Sequence, residues 1–344
     1  MTGALRDARA VHIDAPGRLR ITPIEPRLPG PGEVLIEVAW AGICGSDREV
    51  LAGTRPANFV RYPLVPGHEW SGTVVSAGEQ ADAALVGRAV VGEGFRSCQR
   101  CAACRRGDTN LCEADYRETG FTEPGAWSDY LTVPARLLHV LPVGCDLRAA
   151  AGLEPAACVA AACLKAAPVP GERIAVVGAG TLGLLATQLL AAGHPAELIV
   201  IDPRGDRGEL AQRCGATTCL SPEEAQRKLG RFDLVLEAAG APGTARLAMQ
   251  LARRGGRVVL TGIPPASEGD EALSPTALVL GEITVHAVFG APSRAWSHAV
   301  RAFATGLLDP SVIVTHEVAL NDVAEAFRIL ADPRAGAVKV LLQP

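Results

Sequence analysis

The hydrophobic pattern changes character near the middle of the chain. In the first 150 residues or so, apolar residues come in short runs broken by turn formers. Val34-Leu-Ile-Glu-Val-Ala39, Trp70-Ser-Gly-Thr-Val-Val-Ser76 and Val86-Gly-Arg-Ala-Val-Val91 each read as a strand, with Pro and Gly between them. Short strands separated by turn residues predict a barrel-like, β-rich domain. From Glu154 to Ala167, Ala and Leu dominate as in a helix, and Pro168 and Pro170 end it. The pattern then alternates. Strand Arg173–Val177 leads to helix Thr181–Ala192 and strand Glu197–Ile201; helix Arg207–Cys214, strand Phe232–Glu237, helix Thr244–Arg253 and strand Arg257–Thr261 follow. Such alternation predicts an α/β, doubly wound parallel sheet of the Rossmann type. The tail adds helices near Trp296–Thr305 and Asn321–Leu330 and a closing strand, Ala337–Leu342, expected to rejoin the first domain. The expected division is a β-rich domain of residues 1–153 and 291–344, with a dinucleotide-type domain, 154–290, inserted in it.

The turn after the first α/β strand carries chemistry. Gly178-Ala-Gly180-Thr181-Leu182-Gly183 is a G-x-G-x-x-G lying directly between a strand and a helix, the context that gives this motif its meaning. The first Gly permits the tight turn, the second lets backbone approach a pyrophosphate, and the third lets helix pack on strand. The helix N-terminus then offers free N–H groups to the phosphates. Asp202, 19 residues beyond Gly183, ends the next strand and suits the ribose hydroxyls of NAD. Arg204 and Arg207 leave NADP open, since a cation there could take the extra phosphate. Ala238-Ala-Gly240, Thr261-Gly262-Ile263 and Val288-Phe-Gly290 follow predicted strands, at the carboxyl ends where such sheets bind ligands.

The chain has ten cysteines. Cys98, Cys101, Cys104 and Cys112 crowd one short segment, and their spacing matches four thiolates closing a tetrahedral, structural zinc. Arg96, Arg100, Arg105 and Arg106 could screen the negative charge of such a centre. By spacing alone an iron–sulfur cluster is the alternative. Cys44, in Gly42-Ile-Cys-Gly-Ser-Asp47, and His68 and Glu69, in Pro66-Gly-His-Glu69, lie far apart in sequence, as does Glu154 in Leu153-Glu-Pro155. Nothing in their spacing separates them from ordinary core residues.

Composition narrows the partners. Of 344 residues, 48% are hydrophobic, enough for packed cores. The 33 basic residues against 37 acidic ones, a net charge of −4, argue against nucleic-acid or anionic-membrane surfaces. Aromatics at 4% argue against stacking on bases or sugars. Met1–Ala10 lacks the apolar segment of a signal peptide, and the uncharged stretch Ile174–Gly193 opens like a strand and holds the glycine turn, so a cytoplasmic, non-membrane chain is expected.

Taken together, these segments resemble the zinc-dependent medium-chain dehydrogenases of the alcohol, sorbitol and threonine dehydrogenase type. The likeness runs from about Val34 to the C-terminus, with Gly-Ile-Cys-Gly-Ser-Asp, Val-Pro-Gly-His-Glu, the four-cysteine lobe, Glu-Pro and the glycine turn in family order. The resemblance implies a GroES-like catalytic domain carrying the four-cysteine zinc lobe, two zinc ions per chain, and a homodimer or homotetramer acting on a small-molecule alcohol or ketone; Asp202, whose carboxylate would repel a 2′-phosphate, favours NAD over NADP as its cofactor. It implies that Cys44, His68 and Glu154 hold the catalytic zinc, with Glu69 close by and able to swing onto the metal. Asp47 would orient the His ligand. Ser46 would begin the proton relay, or serve as a turn serine. Where many relatives continue that relay through a His, this chain has Arg48 and Glu49. The implied chemistry is hydride transfer from an alcohol whose hydroxyl zinc makes acidic. Tyr62-Pro-Leu-Val-Pro-Gly-His-Glu-Trp-Ser-Gly72 and Gly120-Phe-Thr-Glu-Pro-Gly-Ala126 resemble the 2-deoxy-scyllo-inosamine dehydrogenases of aminoglycoside biosynthesis, and Gly92-Glu-Gly94 is similar to the threonine dehydrogenase group. Glu93, Phe121 and Arg294 are candidate lining residues, or surface. The alternatives are an L-threonine 3-dehydrogenase-like enzyme, an NADPH-dependent aldehyde or ketone reductase and, outside enzymes, a zinc-binding interaction module.

Overall fold

The computed structural model describes residues 7–264 and 273–344, so the opening residues of Met1–Ala10 lie outside the described residues. The chain divides into two compact units, Met1–Glu154 with Val314–Pro344, and Pro155–Ile313. The return to the first unit falls at Val314, later than the expected 291. Helix Ser293–Ala304 and the turn Pro310–Ile313 stay with the second unit. That turn packs on helix Thr181–Ala191, where Gln188 clamps Asp309 twice: Nε2 donates to the Asp309 carbonyl at 3.1 Å and Oε1 accepts from its N–H at 2.7 Å.

In the first unit, strand Glu33–Ile43 is the hub. It pairs antiparallel with Trp70–Ala77, with Tyr130–Pro134 and with the C-terminal strand Lys339–Gln343, which in turn pairs parallel with Val314–Ala319. The closing strand thus rejoins the β-rich unit, as its sequence pattern suggests. Alternate residues of these strands supply the core, including Val34, Ile36, Val38, Trp70, Val74, Val340 and Leu342 around Trp127. An antiparallel hairpin, Ala8–Ala15 with Arg18–Ile24, forms a separate small sheet.

The second unit is a six-stranded sheet whose pairs are all parallel. Numbered within this unit, the strands lie in the order 3-2-1-4-5-6, the doubly wound order. Strands Arg173–Val177 and Phe232–Glu237 are neighbours at the point where that order reverses, and their carboxyl ends make the crevice where such sheets bind ligands. The edge strand Thr218–Leu220 was not expected from the pattern, Thr284–Ala287 is the strand expected without bounds before Val288, and Ala252–Leu260 starts earlier than expected. Among the described residues no helix is long and apolar enough to cross a membrane.

Candidate active site

In the first unit, Cys44 sits just before helix Gly45–Ala52, and its N–H donates to Asp47 Oδ2 at 2.8 Å. Asp47 is fully buried, and its other oxygen faces His68 Nδ1 at 3.6 Å. Glu69 enters this space because residue 42 is glycine: a Cβ there would lie 2.0 Å from Glu69 Oε2. The result is a convergence of segments distant in sequence. Donor atoms of Cys44, His68 and Glu69 all lie within 4.8 Å of one another. Asp47 Oδ1, His68 Nδ1 and Glu69 Oε1 are buried without a hydrogen-bond partner. Asp47 Oδ1 and His68 Nδ1 face each other, so it is Glu69 Oε1 that is left unsatisfied within the donor group; a sulfur, an imidazole and such a carboxylate fit a divalent cation, with zinc suited to the S, N and O donors. Burial works against a charged His68, but Asp47 and Cys44 outweigh it and raise its pKa well above the usual histidine value. Metal binding here would therefore displace a proton.

The third expected ligand behaves differently. Glu154 lies in the first turn of helix Leu153–Ala166 and outside this donor group. It is still a near charge, raising the pKa of both Glu118 and Lys339. Glu69 takes the carboxylate position in the cluster, held by a residue that sequence reasoning missed. Lys339 Nζ bonds Glu69 Oε2 at 2.6 Å and the Ile43 carbonyl at 3.1 Å, with the Lys339 side chain only 2% exposed. Ser46 is half-buried in the first turn of helix Gly45–Ala52. Glu49 faces Arg55 at 3.8 Å. Phe121 does reach the site, its ring stacked on the His68 imidazole at 4.6 Å. Glu93 is buried against His139 at 3.2 Å. Glu118, which the sequence did not single out, is also buried, and burial pushes its carboxyl up to about 7.

The four-cysteine lobe closes on itself. Cys98, Cys101, Cys104 and Cys112 place their sulfurs within 4.8 Å of one another, and Cys98 and Cys104 are 4.0 Å apart. A tetrahedron with Zn–S bonds of about 2.3 Å has edges of roughly 3.8 Å, so the four need barely move. Backbone N–H groups of Cys98, Cys101, Cys104 and Glu113 point at sulfurs at 3.3–3.5 Å. Backbone donors at Arg100 and Cys101 pull the Cys98 thiol down to about 6, while burial pushes Cys104 up to about 12. The donors favour thiolates, which is the form that binds zinc.

In the second unit, the glycine turn opens helix Thr181–Ala191. Gly178 has φ +104°, and a Cβ on Gly183 would lie 1.8 Å from the Gly178 carbonyl, so strand and helix touch through bare backbone. Gly180 faces open space, with nothing within 4 Å of a would-be Cβ. Asp202 Oδ2 accepts from the Ala179 N–H at 2.7 Å, and Arg204 Nε donates to Oδ1 at 3.0 Å. A cavity of about 550 Å³ is lined by Gly178, Gly180, Asp202, Arg204 and Arg246, among others. Arg207, expected to meet cofactor, is buried and outside this lining; Arg204 and Arg246 are the cations there. A second missed residue braces the crevice. Glu237 is 2% exposed, and its Oε1 accepts from the N–H groups of Ala239 and Gly240 at 2.8 Å and from the Thr244 hydroxyl at 2.9 Å. Gly262 packs on Gly240 and Glu237, where a Cβ would be within 2.5 Å of both. Only the acidic residue at the strand's end could have hinted at this role.

Residues 30–143 match the alcohol dehydrogenase GroES-like domain, and residues 181–305 match the zinc-binding dehydrogenase domain. The chain is 32% identical over 318 residues to the L-threonine 3-dehydrogenase of Streptomyces coelicolor, covering 90% of this chain and 92% of that protein. It superposes with a TM-score of 0.90 on a structure from Sinorhizobium meliloti bound to NADP, at 29% identity over 99% of this chain and 100% of that one. With the 2R,3R-butanediol dehydrogenase of Bacillus subtilis the TM-score is 0.87, at 28% identity over 98% of this chain and 99% of that one.

Proposed function

Because the chain belongs to the zinc-dependent medium-chain dehydrogenase family, we propose that it transfers hydride between NAD and a secondary alcohol of a polyol or aminocyclitol, of the 2-deoxy-scyllo-inosamine type. It is an oxidoreductase acting on CH–OH donors, with zinc and a nicotinamide dinucleotide as cofactors. The observation that carries the reading is the convergence of the Cys44, His68 and Glu69 donor atoms within 4.8 Å, with Glu69 Oε1 buried and unpartnered.

Cys44 and His68 would hold the catalytic zinc. Glu69 supplies the carboxylate within the donor group, and Glu154 is the carboxylate that the family likeness assigns to the third position. Cys98, Cys101, Cys104 and Cys112 would hold the structural zinc. When bound, the catalytic ion supplies Lewis acidity that makes an alcohol proton acidic near neutral pH. Ser46 both donates and accepts, so its hydroxyl can take that proton. Asp47 favours the imidazole orientation in which Nδ1 faces inward to the carboxylate. In the second unit Gly178, Gly180, Thr181, Leu182 and Gly183 would bind the pyrophosphate at the helix N-terminus, and Asp202 the ribose. Gly240 and Gly262 would shape the nicotinamide side of the crevice. The proposed location is the cytoplasm, and the proposed assembly a homodimer or homotetramer.

A second reading, oxidation of L-threonine, is favoured by the names of several relatives. A panel of polyols, aminocyclitols and L-threonine with NAD⁺ and NADP⁺, read by absorbance of the reduced cofactor, separates them. An aminocyclitol used best with NAD⁺ supports the proposal. L-Threonine used best transfers it to the second reading, and preference for NADP⁺ overturns the role given to Asp202. Metal analysis separates the carboxylates: of Glu69→Gln and Glu154→Gln, the one that lowers zinc content towards one ion per chain carries the third ligand.

A further inference from the structure

We propose that Phe121 and Arg55 form a positioning stack that holds the His68 imidazole ready for the catalytic zinc. This rests on the reading of His68 as a ligand. An imidazole ligand must keep its ring angle, and hydrogen bonding at its second nitrogen usually fixes it. Here that bond is weak: His68 Nδ1 stands 3.6 Å from Asp47 Oδ1, beyond a good hydrogen bond. Asp47 therefore sets which way Nδ1 faces but holds the ring angle only loosely, and packing must do the rest. Phe121 is 2% exposed and seated in a small apolar cluster with Ile13, Val50 and Leu64. Its ring centroid lies 4.6 Å from the imidazole, with the planes tilted by 36°. The Arg55 guanidinium carbon sits 3.8 Å from the same Phe121 centroid. Arg55 is itself fixed. Nε donates to the Phe59 carbonyl at 3.0 Å, Nη2 donates to the Tyr116 hydroxyl at 3.2 Å, and both terminal nitrogens lie 3.8 Å from carboxylates, Glu49 and Glu118. A cation over an aromatic face adds attraction that an aliphatic residue at 121 would lose. The chain of contacts runs from an anchored guanidinium through a buried ring to the ligand.

The test is zinc retention. Phe121→Leu and Arg55→Met are loaded with zinc, and release to a colorimetric chelator is timed, with the four-cysteine ion as internal control. Removing partners that orient a metal ligand weakens affinity by roughly 10–100-fold. The expected result is faster loss of one zinc, about tenfold for Phe121→Leu and less for Arg55→Met, with the second ion unchanged. Phe121→Tyr, which keeps the ring, should restore slow release. Cobalt-substituted Phe121→Leu should also show an altered visible absorption band. Release at the wild-type rate in both variants overturns the proposal, as does equal loosening of both ions. If Cys44→Ala and His68→Ala keep two zinc ions per chain, the ligand reading itself fails, and the stack with it.

Discussion

The buried pair Lys339–Glu69 gives the sharpest energetic prediction. Both side chains are almost wholly buried, at 2% and 1% exposure, and they meet at 2.6 Å. Burial lowers the Lys339 pKa, but Glu69 and Cys44 raise it further than burial lowers it, so it stands above the ordinary lysine value. Its stabilisation is thus fully present at neutral pH and is lost only as pH climbs through the folded-state value. Lys339→Met keeps the volume and removes the charge. In protein stripped of the ion beside Glu69, it strands the Glu69 carboxylate and takes the Nζ donor from the Ile43 carbonyl. Breaking one partner of a buried pair costs about 3–5 kcal/mol, whereas replacing both by apolar groups is often nearly neutral. At a urea slope near 2 kcal/mol/M, that loss moves the midpoint of the first unit down by roughly 2 M. Tryptophan fluorescence reads this unit selectively, because Trp40, Trp70 and Trp127 lie in it and only Trp296 in the other. Glu69→Gln with Lys339→Met should recover much of the loss, since no buried charge is left alone. A midpoint within about 0.3 M of wild type for Lys339→Met, or a double variant as weak as the two losses summed, refutes the reasoning.

Three further outcomes are expected. Gly180→Ala should leave thermal stability unchanged yet weaken NADH binding, measured by fluorescence titration, because its Cβ enters open space where the pyrophosphate would lie; Gly183→Ala, 1.8 Å from the Gly178 carbonyl, should lose both stability and binding. Burial lifts Glu118 to about 7 from an ordinary 4.5, so between those values the folded chain keeps a proton that the unfolded chain has lost. Stability should therefore fall as pH rises through that window, by on the order of 3 kcal/mol, and urea midpoints of Glu118→Gln at pH 5 and pH 8 should not show the fall. Glu237→Leu leaves the Ala239 and Gly240 N–H groups without their acceptor, while the Thr244 hydroxyl keeps the Ala241 carbonyl at 2.7 Å; the loss should be about 2 kcal/mol or more, and KM for NAD⁺ should rise more than KM for the alcohol.

What was legible in the sequence follows from range. The glycine turn is a local device: strand, turn and helix lie within Arg173–Ala191, so the pattern locates it almost to the residue. The cysteine lobe is equally local, spanning Cys98 to Cys112. The three-residue edge strand Thr218–Leu220 and the four-residue Thr284–Ala287 are too short to carry a period, yet they complete the doubly wound order. The return to the first unit was misplaced because Gln188 and Asp309, 121 positions apart, hold the tail to the second unit, and no pattern near 291 reports that.

The donor cluster shows why long range is also where chemistry hides. Cys44, His68 and Glu69 meet because strand Glu33–Ile43 pairs with Trp70–Ala77 and so brings the ends of both strands together. The C-terminal strand joins the same hub, and its first residue, Lys339, lies beside Ile43 and Glu69. In sequence Lys339 is a lone lysine inside the apolar run Ala337–Leu342. Only the pairing of its strand with Glu33–Ile43, which sets its side chain against Glu69 270 positions away, turns it into the countercharge of the site. Folding of the tail and the charge balance around Cys44 are therefore one event. Removing the last strand should unsettle the donor cluster as surely as replacing a residue within it, because it would leave Glu69 buried without its cation.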